Sequence, residues 1–345
     1  MILKDKILET VKQLDLNLKG RIVLTEAATG AYVVTPIIAA LSGAKVYAFT
    51  KSTRYGSVEE VKHQTGELLE KLSIDRDSVH IVEDLTPELI NIADIITNSG
   101  HLRPLNAEKL QYSKQGLVIP LMYEAWELRE GDLDLNFCKK NEIRVGATNE
   151  RHPDVDVFNF LGDMAIKLIF DAGFNLYKNK FVLICNNDFG PYIAKVISKI
   201  CAGLAVCDLK ENKNKYNDLP IDWIGDFPNF SAPEKYKNCT AIIFTAYPFE
   251  KSWIGDRGEF LSMSKLKSEF NYPFILRYAG HIDDEFCKGK LNYYPEHVPA
   301  GHMGILPSDI GYDPIIRLQA GGLKVGELML KEQIIFKDVP LVINV

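Results

Sequence analysis

The chain has 345 residues, enough for two ordinary domains, and its 46% apolar and 25% charged residues give the balance of a folded soluble protein. Its 40 Lys and Arg against 46 Asp and Glu leave a formal net charge of −6, which argues against a general nucleic-acid binder with a basic stripe. Glycine (24) and proline (16) are near average, so neither a collagen-like nor a low-complexity chain fits.

The first residues, Met1-Ile2-Leu3-Lys4-Asp5-Lys6, lack the apolar run of a secretory signal, and no stretch of about 18 uncharged apolar residues predicts a membrane span. Arg21-Ile22-Val23-Leu24-Thr25-Glu26 reads as a strand and Ala27-Ala28-Thr29-Gly30 as the turn after it. A helix follows over residues 32–42, where Pro36 is tolerated only near the first turn. Strands are predicted at 44–50, 79–82, 95–97, 117–121 and 143–145, and a helix at 58–72. Strands separated by helices of this length imply parallel crossovers, hence an α/β fold with a doubly wound sheet.

A long amphipathic helix is predicted over 155–172, and after Gly173 the alternation restarts. Strands are predicted at 181–185, 205–208, 241–245 and 273–276, helices at 191–201 and 312–330, and a last strand at 339–345. The polar stretch 210–217 reads as a surface loop. The two halves echo one another in strand and helix order, as a duplicated unit or as any two Rossmann-like sheets would. Six scattered cysteines (Cys138, Cys185, Cys201, Cys207, Cys239, Cys287), none in C-x-x-C spacing, read as reduced residues of a cytoplasmic protein rather than a metal site.

Three stretches together resemble the formate/glycerate dehydrogenase-like superfamily, which includes D-2-hydroxyacid dehydrogenases and S-adenosylhomocysteine hydrolases. They are Asp132-Leu133-Asp134-Leu135-Asn136-Phe137-Cys138 running on to Ile143-Arg144-Val145, the strand–turn–helix unit from Phe181 through Ala194 to Asp208, and Gly280-His281-Ile282-Asp283-Asp284-Glu285. The resemblance implies two Rossmann-like lobes with a cleft between them. Residues 1–153 and 305–345 would form the first, substrate and catalytic lobe, and 154–304 an inserted dinucleotide-binding lobe. It also implies NAD as cofactor, with NADP or no cofactor as alternatives, and we expect a homodimer acting on a small molecule, without nucleic acid or membrane.

A dinucleotide fingerprint places glycines where the backbone approaches a pyrophosphate at a helix N-terminus. The matching stretch, Cys185-Asn186-Asn187-Asp188-Phe189-Gly190-Pro191, keeps only the third glycine, Gly190. Asn186, Asn187, Asp188, Gly190 and Pro191 are the turn's cofactor candidates. Asp208 ends the following strand, where a ribose-binding acid belongs, and Tyr247 lies beyond a later strand. Asp188 puts a carboxylate where phosphate would sit, so altered or lost cofactor binding stands beside retained binding. Ala279-Gly280 replaces the Arg-Gly pair of the hydroxyacid dehydrogenases, and Arg277 can substitute from the same side of an extended segment. His302 lies where the resemblance places an acid–base histidine, with Glu296 as a candidate partner, and His281 matches a histidine of the hydrolases. Either can move a proton near neutral pH, or serve only as a loop or structural residue.

The first lobe offers further polar loops at one sheet edge. Glu26 and Thr29 follow one strand, and Thr53 and Arg54 the next, in a loop suited to a carboxylate or phosphate. His101 and Arg103 follow a third, and Glu124 a fourth. We take Glu26, Thr29, Thr53, Arg54, Arg103 and Arg277 as substrate-binding candidates and His302, His281, His101 and Glu124 as catalytic ones. The leading expectation is an NAD(P)-dependent oxidoreductase acting on a small polar anionic substrate. An S-adenosylhomocysteine-hydrolase-like hydrolase or lyase and a non-catalytic nucleotide- or metabolite-binding module are the alternatives.

Overall fold

The computed structural model describes residues 2–255, 260–271, 273–299, 301–331 and 341–345. In chain order its strands are β1 (Ile22–Glu26), β2 (Lys45–Phe49), β3 (Val79–Val82), β4 (Ile95–Ile96), β5 (Val118–Leu121) and β6 (Arg144–Thr148). Then come β7 (Lys180–Cys185), β8 (Gly203–Asp208), β9 (Asp222–Asp226), β10 (Ala241–Thr245), β11 (Ser252–Gly255) and β12 (Leu261–Ser262). The last are β13 (Phe274–Ala279), β14 (His281–Ile282), β15 (Asn292–Tyr294) and β16 (Val342–Asn344). The chain forms two compact units, Met1–Val157 with Gly311–Val345, and Phe158–Ile310.

In the first unit the strand order is β16-β6-β5-β4-β1-β2-β3, parallel except for β16, which runs antiparallel to β6. In the second it is β15-β13-β10-β7-β8-β9, parallel throughout. Numbered within each unit, six strands of both sheets follow the order 3-2-1-4-5-6 of a doubly wound dinucleotide fold. The echo between the halves is therefore one of topology. Strand order reverses between β1 and β4 in one sheet and between β7 and β10 in the other, and each reversal opens a crevice at the carboxyl ends of the strands.

Consecutive apolar residues explain why both faces of each sheet are covered. In β1, Val23 packs into one core and Leu24 into another, and in β7 Leu183 and Ile184 divide in the same way. The helix Val58–Lys71 begins at a capping box in which Ser57 and Glu60 satisfy each other's backbone. The helix Tyr312–Met329 packs on β5, β6 and the helix Val34–Leu41. Glycines let it come close, since a Cβ on Gly322 would lie 2.5 Å from the Met122 sulfur.

Several expectations are corrected. The helix predicted over 155–172 is Leu161–Asp171, preceded by a 3-10 turn at Phe158–Phe160. Upstream, Asp156 adopts a φ of +52° and the Val157 N–H turns back to the Glu150 carbonyl, so the apolar spacing there belongs to a turn. The helix predicted over 191–201 is Phe189–Ile197. The polar stretch read as a surface loop is a 3-10 helix, Lys210–Tyr216, that buries Asn212 and Tyr216. Strands β9, β11, β12, β14 and β15 escaped the reading because they are short or mixed with polar residues and glycine. Of the last predicted strand, residues 339 and 340 lie outside the described residues, and Val342–Asn344 is the part observed.

Candidate functional site

The register of the first sheet builds the site. Val23 pairs with Ile95 and Leu24 with Ile96. One step on, the Thr25 and Thr97 hydroxyls lie 2.8 Å apart, and Thr97 continues to the Ser99 hydroxyl at 2.7 Å. The next step brings Glu26 and Asn98 to the crevice where strand order reverses, on the opposite side of the pleat from the threonines. Both are enclosed, Glu26 at 7% exposure and Asn98 at 0%.

The Glu26 carboxylate accepts the backbone N–H of His101 at 3.0 Å. Burial pushes its carboxyl above the ordinary range, against the opposing pull of that N–H and of Arg103. Gly100 keeps the approach narrow, since a Cβ there would lie 3.1 Å from the Glu26 Oε2. The Asn98 side-chain nitrogen donates to the Tyr123 hydroxyl at 2.6 Å, and its Oδ1 has no hydrogen-bond partner. The Thr50 hydroxyl at the end of β2 and the Nδ1 of His101 are also buried without one. Burial, followed by the charge of Lys51, holds the His101 imidazole below its ordinary range.

Arg103 is committed elsewhere. Its Nη1 donates to Asp132 at 2.8 Å and its guanidinium carbon lies 5.8 Å from the Tyr123 ring centre. Glu124 is 1% exposed, and its carboxylate accepts from Arg151 Nη1 at 2.7 and 2.5 Å, from the Trp126 indole at 2.7 Å and from the Glu150 N–H at 3.2 Å. Burial, then Glu127 and Glu124, push the Glu150 carboxyl well up, and Glu150 shares a hydrogen bond with Glu127. Thr29 donates to the Tyr55 carbonyl at 2.8 Å. Thr53 pairs with Gly56 in an exposed turn, and Arg54 stacks on the Tyr55 ring at 4.7 Å.

The corresponding crevice of the second unit is bridged by its own side chains. Asn186 donates to the Tyr247 carbonyl at 3.0 Å and accepts the Tyr247 N–H at 2.7 Å. Asn187 donates to the Thr245 hydroxyl at 3.1 Å. The backbone N–H groups that would face a pyrophosphate are used internally. Phe189 donates to the Asn187 Oδ1 at 3.0 Å, and Asn187 and Gly190 donate to the Cys185 sulfur. Asp188 adds a carboxylate there, 3.1 Å from Lys215. No described residue from Cys185 to Pro191 has a positive φ, so the left-handed turn that asparagine was expected to supply is not used.

Asp208 is fully buried and already accepts from the Leu209 N–H at 2.6 Å, from Asn212 at 3.3 Å and from the Tyr216 hydroxyl. A Cβ on Gly190 would collide with Tyr216, Asp208 and Cys185, which is why glycine stands there. These residues do not fit a dinucleotide held in the manner the resemblance implies.

Arg277 is 1% exposed and donates to the Gly280 carbonyl at 3.3 Å, to Asp284 at 3.2 Å and to His281 Nδ1 at 3.0 Å. A guanidinium only donates, so the His281 ring accepts at Nδ1. Ala279 bridges to Met303, which brings the His302 segment beside the end of β13. Arg277, His281 and His302 thus belong to one edge of the second sheet. Neither Tyr216, which closes on Asp208, nor Tyr123, which holds Asn98, was singled out from the sequence. The short spacing Asp208-x-x-x-Asn212-x-x-x-Tyr216 is the one signal that points to the first. Among the described residues no group of His, Cys, Asp or Glu is arranged to hold a metal ion, and no helix is long and apolar enough to cross a membrane.

Fold and site together define a protein of two doubly wound sheets, the class of the formate/glycerate dehydrogenase-like fold expected from the sequence. No protein-family model matches the sequence, and no curated protein matches it. Among solved structures the chain is similar to a dipicolinate synthase from Bacillus halodurans, with a TM-score of 0.56 and 13% identity over 88% of this chain and 96% of that one. It is similar to the dipicolinate synthase from Bacillus subtilis, with 0.53 and 12% over 89% and 98%. A D-lactate dehydrogenase from Treponema pallidum gives 0.53 and 10% over 94% and 100%. At these identities the likeness is one of fold.

Proposed function

We propose that the protein binds a small polar metabolite at the β1/β4 crevice of its first unit, in a dehydrogenase fold whose second unit holds no dinucleotide in the usual way. One observation carries the reading: Asn98 is fully enclosed, yet its amide oxygen has no donor, beside a carboxylate with a raised pKa. Buried polar atoms are nearly always satisfied, so an unsatisfied acceptor in a crevice supports a ligand that supplies the donor. Six cysteines that form no disulfide support a cytoplasmic setting, and a homodimer belongs to the same proposal.

The test is a thermal-shift screen of polar metabolites. A ligand that raises Tm should lose its effect in Asn98→Ala and keep it in Asp208→Asn. The reverse pattern overturns the reading.

The fold likeness to a D-lactate dehydrogenase favours a second reading, an NAD-dependent oxidoreductase. It would use Arg277, His281 and His302 at the edge of the second sheet. It requires the Asn186 and Asn187 bridges to open, and saturable NADH binding would favour it.

A further inference from the structure

Around the β1/β4 crevice the first unit sorts its charges. Glu26, Glu124, Glu150 and Glu127 stand on the loops after β1, β5 and β6. The guanidinium groups among them are engaged, Arg103 with Asp132 and Arg151 with Glu124. This departs from the expectation of an anionic ligand gripped by Arg103, since carboxylates outnumber guanidinium groups here. Glu26 and its register neighbour Asn98 therefore offer two enclosed acceptors side by side. A hydroxyl brings one donor and no charge. An alkylammonium brings three donors and the positive charge that a buried carboxylate lacks. A short way along, Lys51 imposes a positive potential on both His101 and Lys109. A ligand spanning the two regions carries opposite charges at its ends.

We propose that the crevice takes a small primary amine of the amino-acid class, its ammonium on the Glu26 carboxylate and the Asn98 amide oxygen and its carboxylate toward Lys51 and His101. This rests on the ligand site proposed above. It differs from the hydroxy acids that the resemblance implies.

The experiment is calorimetric titration of the full chain with glycine, L-alanine, L-glutamate and L-lysine, each against its hydroxy analogue, with methylammonium as the bare cation. At least one amino acid should bind, with its hydroxy analogue about tenfold weaker or more. Glu26→Gln keeps the shape of the side chain and should weaken amine binding by about tenfold. Asn98→Asp adds a second carboxylate and should tighten it. A loss in one variant and a gain in the other separates recognition from misfolding. Hydroxy acids binding as tightly as amines, no amine binding at all, or unchanged amine affinity in Glu26→Gln would each overturn the amine proposal. Hydroxy-acid binding that disappears in Asn98→Ala overturns the amine alone and leaves the crevice as the ligand site. Binding indifferent to both positions removes the crevice as well.

Discussion

Asp208 shows how a single carboxylate can be turned from ligand binding to structure. The sequence places it at the end of a strand, where a ribose-binding acid belongs, and its burial there was legible from the apolar run before it. Its partners were not, because Asn212 and Tyr216 lie in a lysine-rich stretch that reads as solvated. Burial raises its pKa to about 6, against the opposing hydrogen bonds of Tyr216, Leu209 and Asn212. The folded state thus holds this proton more tightly than an ordinary carboxyl of 3.8. Stability from this group is present at low pH and is lost as pH rises from about 4 through about 6. We expect chemical denaturation across that window to show a loss of about 1–3 kcal/mol, flattened in Asp208→Asn. A wild-type curve rising over the same window contradicts the assignment. Glu124 behaves differently, because Arg151 neutralises it. Arg151→Ala should lower stability by about 1–3 kcal/mol by leaving an enclosed carboxylate without its cation, read from the denaturation midpoint.

Among the elements, the turn before the helix Phe189–Ile197 decides what the second unit can hold. The missing glycines at Cys185 and Asn187 were visible in the sequence, and with them a doubt over phosphate binding. That the Asn187 side chain would accept the Phe189 N–H, and that Asn186 would clasp Tyr247, depends on a strand that arrives far later in the chain. Gly190 was retained for packing against Tyr216 and Asp208 rather than for a phosphate. Gly190→Ala should therefore destabilise the protein by about 1–3 kcal/mol through overpacking, measured as a fall in Tm without any ligand present. An unchanged Tm would mean that the turn has room to spare. In the first unit, Glu26, His101 and Glu124 were legible as residues of one sheet edge from strand order alone. Asn98 was passed over, because nothing in a sequence reveals which amide atom is left without a partner.

At the scale of the molecule, two sheets of the same strand order have taken different roles at the same place. Alternation of apolar strands and helices made the doubly wound fold and its two halves readable. What it could not reveal is which crevice each unit keeps open. In the first unit, enclosed acceptors face the crevice unsatisfied. In the second, asparagine side chains cross it and the helix start is occupied by the chain itself. The measurement that tests this division most directly is titration of the whole protein with NADH, followed by nicotinamide fluorescence. The structure predicts no saturable change up to about 1 mM, corresponding to binding weaker than about −4 kcal/mol. Saturable binding well below that concentration, weakened in Asp208→Asn, would contradict it and make the second unit a working dinucleotide site.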